Sequence, residues 1–265
     1  MKAISFFTGM FFLLFPLLLT AQSEEEKEAY YLHSAIRKND FEKVRQMIEQ
    51  GADVNAQFNG RNALHVALRE DSREMVEYLV EAGADVNARR DRGEGITTLH
   101  YAVRSFSVPY SYIRILVNNG ADVNAESPDG SLIINNAIRR AGDKNEALKI
   151  ARLLIEQGAD LNPEDPDKAP PRVAIFHRWT DMLKLVLENG ADPNKVDSKG
   201  TYPIHHAVQK KDVDAVHLLK KHGANLKVKD TDGNTPADIA REKAKMAFDE
   251  SSRHKCEEMV KILSL

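Results

Sequence analysis

The sequence predicts an all-α solenoid of stacked helix–turn–helix units, and three observations predict it. The hexapeptide Gly51-Ala52-Asp53-Val54-Asn55-Ala56 returns letter for letter at residues 83–88 and 120–125. Looser copies stand at Gly158-Ala159-Asp160-Leu161-Asn162, Gly190-Ala191-Asp192-Pro193-Asn194 and Gly223-Ala224-Asn225-Leu226. Successive glycines lie 32, 37, 38, 32 and 33 residues apart, a period that marks stacked supersecondary units. A second signature precedes the first helix of most units: Gly60-Arg61-Asn62-Ala63-Leu64-His65-Val66-Ala67, with counterparts at residues 95–102, 200–207 and 233–240.

Each letter of the hexapeptide has a physical task. The glycine follows an apolar helical run such as Val44, Met47, Ile48, where a helix end needs a residue that accepts positive φ. Asp and Asn are expected to hold the turn by bonding their own backbone, with the Val or Leu between them pointing into the stack.

In chain order, residues 1–21 stand outside the fold. Lys2 precedes an almost wholly apolar run from Phe6 to Leu19, and Thr20-Ala21 offers a small residue before Gln22-Ser23-Glu24-Glu25-Glu26. This is a signal-peptide pattern with cleavage after Ala21, the other reading being an uncleaved anchor. Export is therefore expected. Without Lys2 the chain carries 36 basic and 40 acidic residues, so no overall charge points to nucleic acid or a membrane surface. The single Cys256 has no internal disulfide partner, and no Asn-X-Ser/Thr acceptor occurs, which favours a bacterial periplasm over a eukaryotic secretory route. Residues 22–28 read as an acidic, mobile leader.

A first repeat follows without a preceding turn and reads as a cap. Tyr30-Tyr31-Leu32-His33-Ser34-Ala35 opens a helix, Asn39-Asp40 turns it, and Phe41 to Gln50 forms a second helix with apolar positions at Phe41, Val44, Met47 and Ile48. In the last repeat Thr235 is read as an N-cap and Pro236 as the first helical residue, where a missing N–H costs nothing.

The Thr-Pro-Leu-His-x-Ala-like and Gly-Ala-Asp-Val-Asn-Ala motifs make residues 29–265 resemble an ankyrin-repeat domain of about seven repeats. The resemblance implies L-shaped pairs of antiparallel helices with projecting β-hairpin fingers, stacked into a curved solenoid. Departures stand out. The finger Arg89 to Glu94 is two residues long in excess, and Ser105 to Ser111 adds two residues between helices. Repeat four has Asn135 where histidine is usual and five extra residues around Ala141 to Asn145, and repeat five has no glycine in its turn between Glu164 and Pro171. The junction of repeats three to five is expected to be the least stable part of the stack. The last repeat runs on from Arg241, and a long polar helix or inserted loop is expected to cover the open end.

No catalytic constellation is found, and neither a metal nor a cofactor is expected. His65, His100 and His205 recur once per repeat, and the resemblance makes them structural partners within the turn. No cysteine or carboxylate stands near His177 or His205-His206 at ligand spacing. Alignment of the repeats on their alanines places Arg37, Arg69, Arg104, Arg139, Phe176 two residues on, and Arg140, His177 three residues on. The resemblance puts these positions on a concave face beside the fingers. With finger residues Arg89, Arg90 and Arg92 they form a candidate ladder for an acidic partner surface, against the bland reading of family habit. Trp179 stands in a slot that elsewhere holds Asp40, Ser72 or Asp212. It is a candidate anchor, extended by Phe58, Phe106 and Tyr110; packing against the irregular finger is the competing reading.

The expected function is that of an exported, non-catalytic, monomeric module, periplasmic or secreted, that grips a folded protein partner as inhibitor, scaffold or protector. The alternatives are a secreted effector or immunity-type protein, an enzyme with its site in repeats three to five, and a cytosolic scaffold.

Overall fold

The computed structural model describes residues 23–90, 95–140 and 143–264. The expected signal peptide, Arg92 and the Ala141-Gly142 pair lie outside these residues. The chain divides into two compact units, one ending at Asp122 and one starting at Val123.

The first unit holds α1 (Glu24–Arg37), α2 (Phe41–Glu49), α3 (Ala63–Arg69), α4 (Arg73–Glu81), α5 (Thr98–Arg104) and α6 (Tyr110–Asn118). The expected acidic leader is helical instead. Ser23 caps α1 by accepting from the Glu26 N–H at 3.2 Å, and Glu24, Glu25 and Glu26 fill the first turn, where the helix dipole favours negative charge. The expected insertion at residues 105–111 narrows to 105–109, because Tyr110 and Ser111 belong to α6. Val108 anchors that loop by full burial.

The second unit holds α7 (Ile133–Arg139), α8 (Lys144–Glu156), α9 (Pro170–Phe176), α10 (Thr180–Glu188), α11 (Pro203–Gln209), α12 (Val213–Lys221), α13 (Pro236–Lys245) and α14 (Glu250–Leu263), with a 3₁₀ turn at Pro166–Lys168. Most second helices run nine residues, such as α10; α8 runs 13. That helix therefore carries an additional N-terminal turn, to which Lys144 and Asn145 of the expected insertion belong. At the far end α13 has 10 residues and α14 has 14, so both helices of the last repeat are lengthened. Thr235 caps α13 in a capping box with Asp238, and Pro236 opens it.

Short first helices are buried nearly all round. In α3, Ala63 through Leu68 are all buried, so its neighbours can approach closely only because Ala63 and Ala67 are small. The second helices are amphipathic: α4 buries Met75, Val76 and Leu79 and leaves its charged residues in water. Among the described residues the fingers contain isolated bridges rather than strands, at Phe58↔Arg61, Arg89↔Thr97 and Glu126↔Leu132. Their arms are too short for a ladder.

The helix-ending glycines take φ values from 84° to 101°. A Cβ at Gly158 would meet nothing within 4 Å, so glycine is required there by backbone conformation and not by space. The hexapeptide's Val54, Val86, Val123 and Leu161 are buried, and the Asp carboxylates hold their own turns, as in Asn55 N–H to Asp53 Oδ1 at 2.8 Å.

The asparagines do something the sequence reading missed. Each reaches the next repeat rather than its own turn. In the first unit Asn55 Nδ2 donates to Gly83 O at 3.2 Å and its Oδ1 accepts from Asp85 N at 2.7 Å. Asn87 repeats the pair on Gly120 and Asp122. In the second unit Asn124 takes Gly158 and Asp160, Asn162 takes Gly190 and Asp192, and Asn194 takes Gly223 and Asn225. A primary amide holds an NH₂ donor group and a carbonyl acceptor side by side in fixed geometry, so a single side chain satisfies the helix-end carbonyl and the following turn of its neighbour. Asn124→Ala is expected to lower stability by about 1–2 kcal/mol, the worth of two hydrogen bonds at an exposed site; chemical denaturation of the whole chain checks this.

Candidate functional site

The site residues are positioned by the buried histidines and the finger turns. His65 Nδ1 lies 2.7 Å from Asn62 Oδ1, which also caps α3 by accepting from the His65 N–H. His100 Nδ1 lies 2.8 Å from Thr97 Oγ1. His205 Nε2 lies 3.2 Å from Asn234 O in the next finger, and His33 Nε2 lies 3.2 Å from Ala56 O. Asn135, in the histidine's place, donates to Lys168 O at 2.7 Å. His33, Asn135 and His205 thus tie their helices to the following finger, while His65 and His100 hold the N-cap residues of their own turns.

Burial holds the His33 and His65 pKa values down to about 4. The neighbouring cations act in the same direction, Arg37 and Arg61 on His33, Arg90 and Arg61 on His65. Both rings are therefore neutral at pH 7 and serve as hydrogen-bond elements. Among the described residues no group of three or more His, Cys, Asp or Glu is arranged to hold a metal ion.

In the first unit the exposed residues Arg37, Arg69 and Arg104 stand at or near the ends of α1, α3 and α5. Arg69, Arg90 and Arg61 line a cavity of about 140 Å³ together with His65 and Tyr101. Arg61 and Tyr101 were absent from the sequence-based ladder. Arg61 sits in the turn signature itself, and the alanine alignment does not sample that position. Arg89 is turned to structural use, since its guanidinium donates to Gly95 O at 2.6 Å within the finger. Phe58 packs back on the first helix, with its ring 5.2 Å from that of Tyr30, while Phe106 is exposed.

In the second unit Arg139, Phe176 and His177 are exposed. The Phe176 ring carries Lys210 Nζ 4.4 Å from its centre and stacks edge-on with His177 at 5.4 Å. Partial burial, then the charges of Arg139 and Lys210, lower the His177 pKa. These four side chains form one patch around a solvent-facing aromatic ring.

Two expected surface residues turn inward. Arg140 is buried and pairs with Glu146 at 3.1 Å. Trp179 is 3% exposed, and Lys144 Nζ lies 5.8 Å from its ring centre. Lys144 and Glu146 belong to the extra first turn of α8, so the insertion of repeat four supplies partners that draw both residues from the exposed face. Burial thus removes Trp179 from the exposed face, and Lys144 of α8 lies near its ring.

Family models of the ankyrin repeat match the chain in three places: "Ankyrin repeats (3 copies)" over residues 1–90, "Ankyrin repeat" over 94–128 and "Ankyrin repeats (many copies)" over 186–240. An ankyrin repeat-containing protein of Schizosaccharomyces pombe is 33% identical over 82 residues, which is 31% of this chain and 39% of that protein. The match thus spans well under half of that relative's length. The ankyrin repeat domain of human ASB11 superposes with a TM-score of 0.64 at 26% identity, covering 86% of this chain and 96% of that one. The ankyrin repeat domain of Bcl-3, a member of the IkappaB protein family, gives a TM-score of 0.71 over 88% of this chain and 97% of that one; at 23% identity the likeness is one of fold.

Proposed function

This chain is an ankyrin-repeat protein, and from that premise we propose that it is a non-catalytic module binding a folded protein partner through its first-helix ends and fingers. One observation carries the reading. The cations at this face in the first unit are gathered around a surface cavity, while those of the second helices are spread along solvated faces, as in the Arg73–Glu77 pair. Arginine beside aromatic rings is the composition of interface hot spots, and the Phe176, His177, Lys210 patch offers the same chemistry in the second unit. Rigid packing below these residues limits the ordering cost of binding. A partner with an acidic surface fits the charge, which would also speed encounter at low salt.

Export completes the proposal and rests on the leader pattern of residues 1–21. It places the protein in a periplasm or outside the cell, where it would inhibit, scaffold or protect its partner. Fractionation with N-terminal sequencing of the mature chain decides between retention, release and an uncleaved leader. Among the described residues no helix is long and apolar enough to cross a membrane.

The binding face is tested by partner capture. The chain with Arg69→Glu and Arg104→Glu is expected to lose a partner captured by the unaltered chain, while Arg114→Glu on α6 keeps it. Equal capture by all three would refute the assignment of the face.

A further inference from the structure

The last helix pair of the second unit carries both an apolar tip and an apolar groove. We propose that tip and groove fit each other between copies, so that two molecules of this chain pair through α13 and α14, the turn of each seated in the groove of the other. The inference stands apart from the partner-binding face.

The tip is the turn between the two helices. Phe248 is fully exposed and Met246 is 65% exposed. The turn is nevertheless held in place: Asp249 Oδ1 caps α14 by accepting from the Ser252 N–H at 2.7 Å, and Arg253 Nη2 donates to Ala247 O at 3.4 Å. Two large apolar side chains presented to water on a fixed backbone mark a surface that is covered by something else, and its rigidity lowers the ordering cost of covering it.

The groove lies one helical turn back on the same pair. Ala244 and Val260 give it an apolar lining, completed by Arg241, Lys245, Glu257 and Lys261, around a space of about 390 Å³. Arg241 is already paired with Asp238 at 2.9 Å, so Lys245 and Lys261 outweigh Glu257 and leave the rim positive. At the tip, the charge of Lys211 acts on Asp249 within the same copy, while the exposed Glu250 stands two residues beyond Phe248. The tip thus brings an aromatic ring and a carboxylate to a groove that offers apolar atoms and ammonium groups, a match in both apolar character and charge. Both halves of that match are found on one helix pair, which is what a self-complementary contact requires. Phe248 follows Ala244 by four residues, so a two-fold axis beside the turn sets each tip over the other groove, and such a contact closes at two copies.

Sedimentation equilibrium of the whole chain tests the pairing. The unaltered chain is expected to show monomer and dimer in proportions that shift with concentration. Phe248→Ser at the tip and Ala244→Gln in the groove are each expected to weaken the dimer by about tenfold or more, as loss of a central anchor does. Lys261→Glu is expected to weaken it as well, with Glu250→Lys in the same chain restoring it, while Lys149→Glu on α8 leaves it unaltered. An equimolar mixture of the Phe248→Ser and Ala244→Gln chains is expected to pair more tightly than either alone, because one intact tip and one intact groove remain between them. Thermal melting of every variant checks that the fold persists. A chain that stays monomeric at every concentration, a dimer that Phe248→Ser leaves intact, or a mixture no tighter than its parts would overturn the assignment. So would a monomeric chain that binds vesicles of anionic phospholipid, or a captured partner, only when Phe248 is present, since the tip would then serve another surface.

Discussion

Trp179→Ala is expected to lower the stability of the second unit by about 3–5 kcal/mol, the usual loss for a buried aromatic truncated to alanine, while Trp179→Phe changes it by under about 1.5 kcal/mol. The ring is 3% exposed and caps α10 through its backbone. Lys144 over its face adds a cation–π contact. Its Nε1 is buried without a hydrogen-bond acceptor, a position that costs about 1–3 kcal/mol. Phenylalanine removes that N–H and leaves the rest of the ring volume largely filled, so the two losses offset each other in part. Urea unfolding of both variants measures this. An alanine variant as stable as the parent would mean that the side chain is not part of the core. Partner capture should be unchanged in Trp179→Phe, since the indole does not reach the surface.

Acidification from pH 7 to 4 is expected to weaken the first unit progressively, and the cause is His33 and His65. Their folded pKa values of about 4 lie below the value of 6.5 that they regain on unfolding. The unfolded chain therefore binds more protons in this window, and stability falls as pH falls. The contribution is complete above pH 6.5 and is lost by about pH 4. A shift of this size corresponds to roughly 3 kcal/mol per ring as an upper bound. Arg61 faces both rings, with Arg37 near His33 and Arg90 near His65, so charging either ring also sets it against fixed cations. His33→Gln should flatten the dependence of stability on pH between 6.5 and 4. A parent chain whose stability is level across that window would contradict the burial of neutral imidazoles.

Much of the fold was legible because its signals are local and repeated. A glycine after an apolar helical run needs positive φ wherever it occurs, and a Thr-Pro start caps a helix within one turn. The histidines announced themselves by recurrence. What escaped depended on partners about 30 residues away. The hexapeptide asparagine looks like an ordinary turn residue until the glycine carbonyl of the following repeat is placed beside it. Arg139 and Arg140 are adjacent and chemically identical, yet one is exposed and the other buried against Glu146. The difference lies in the extra turn of α8, and whether five inserted residues form loop or helix is decided by packing. The same turn claims Trp179. On the candidate face the alanine alignment found Arg69, while Arg90 was found as a finger residue. Arg61 was missed because it enters from a turn that the alignment treats as scaffold.

Hydrogen exchange of the whole chain, free and bound to its captured partner, tests the central claim most directly. The account predicts added protection at residues 60–69 and 95–104 and around Arg139 and Phe176, with α4, α6 and α12 unchanged. Protection confined to the solvent faces of those second helices, with the first-helix ends exchanging as in the free chain, would contradict it.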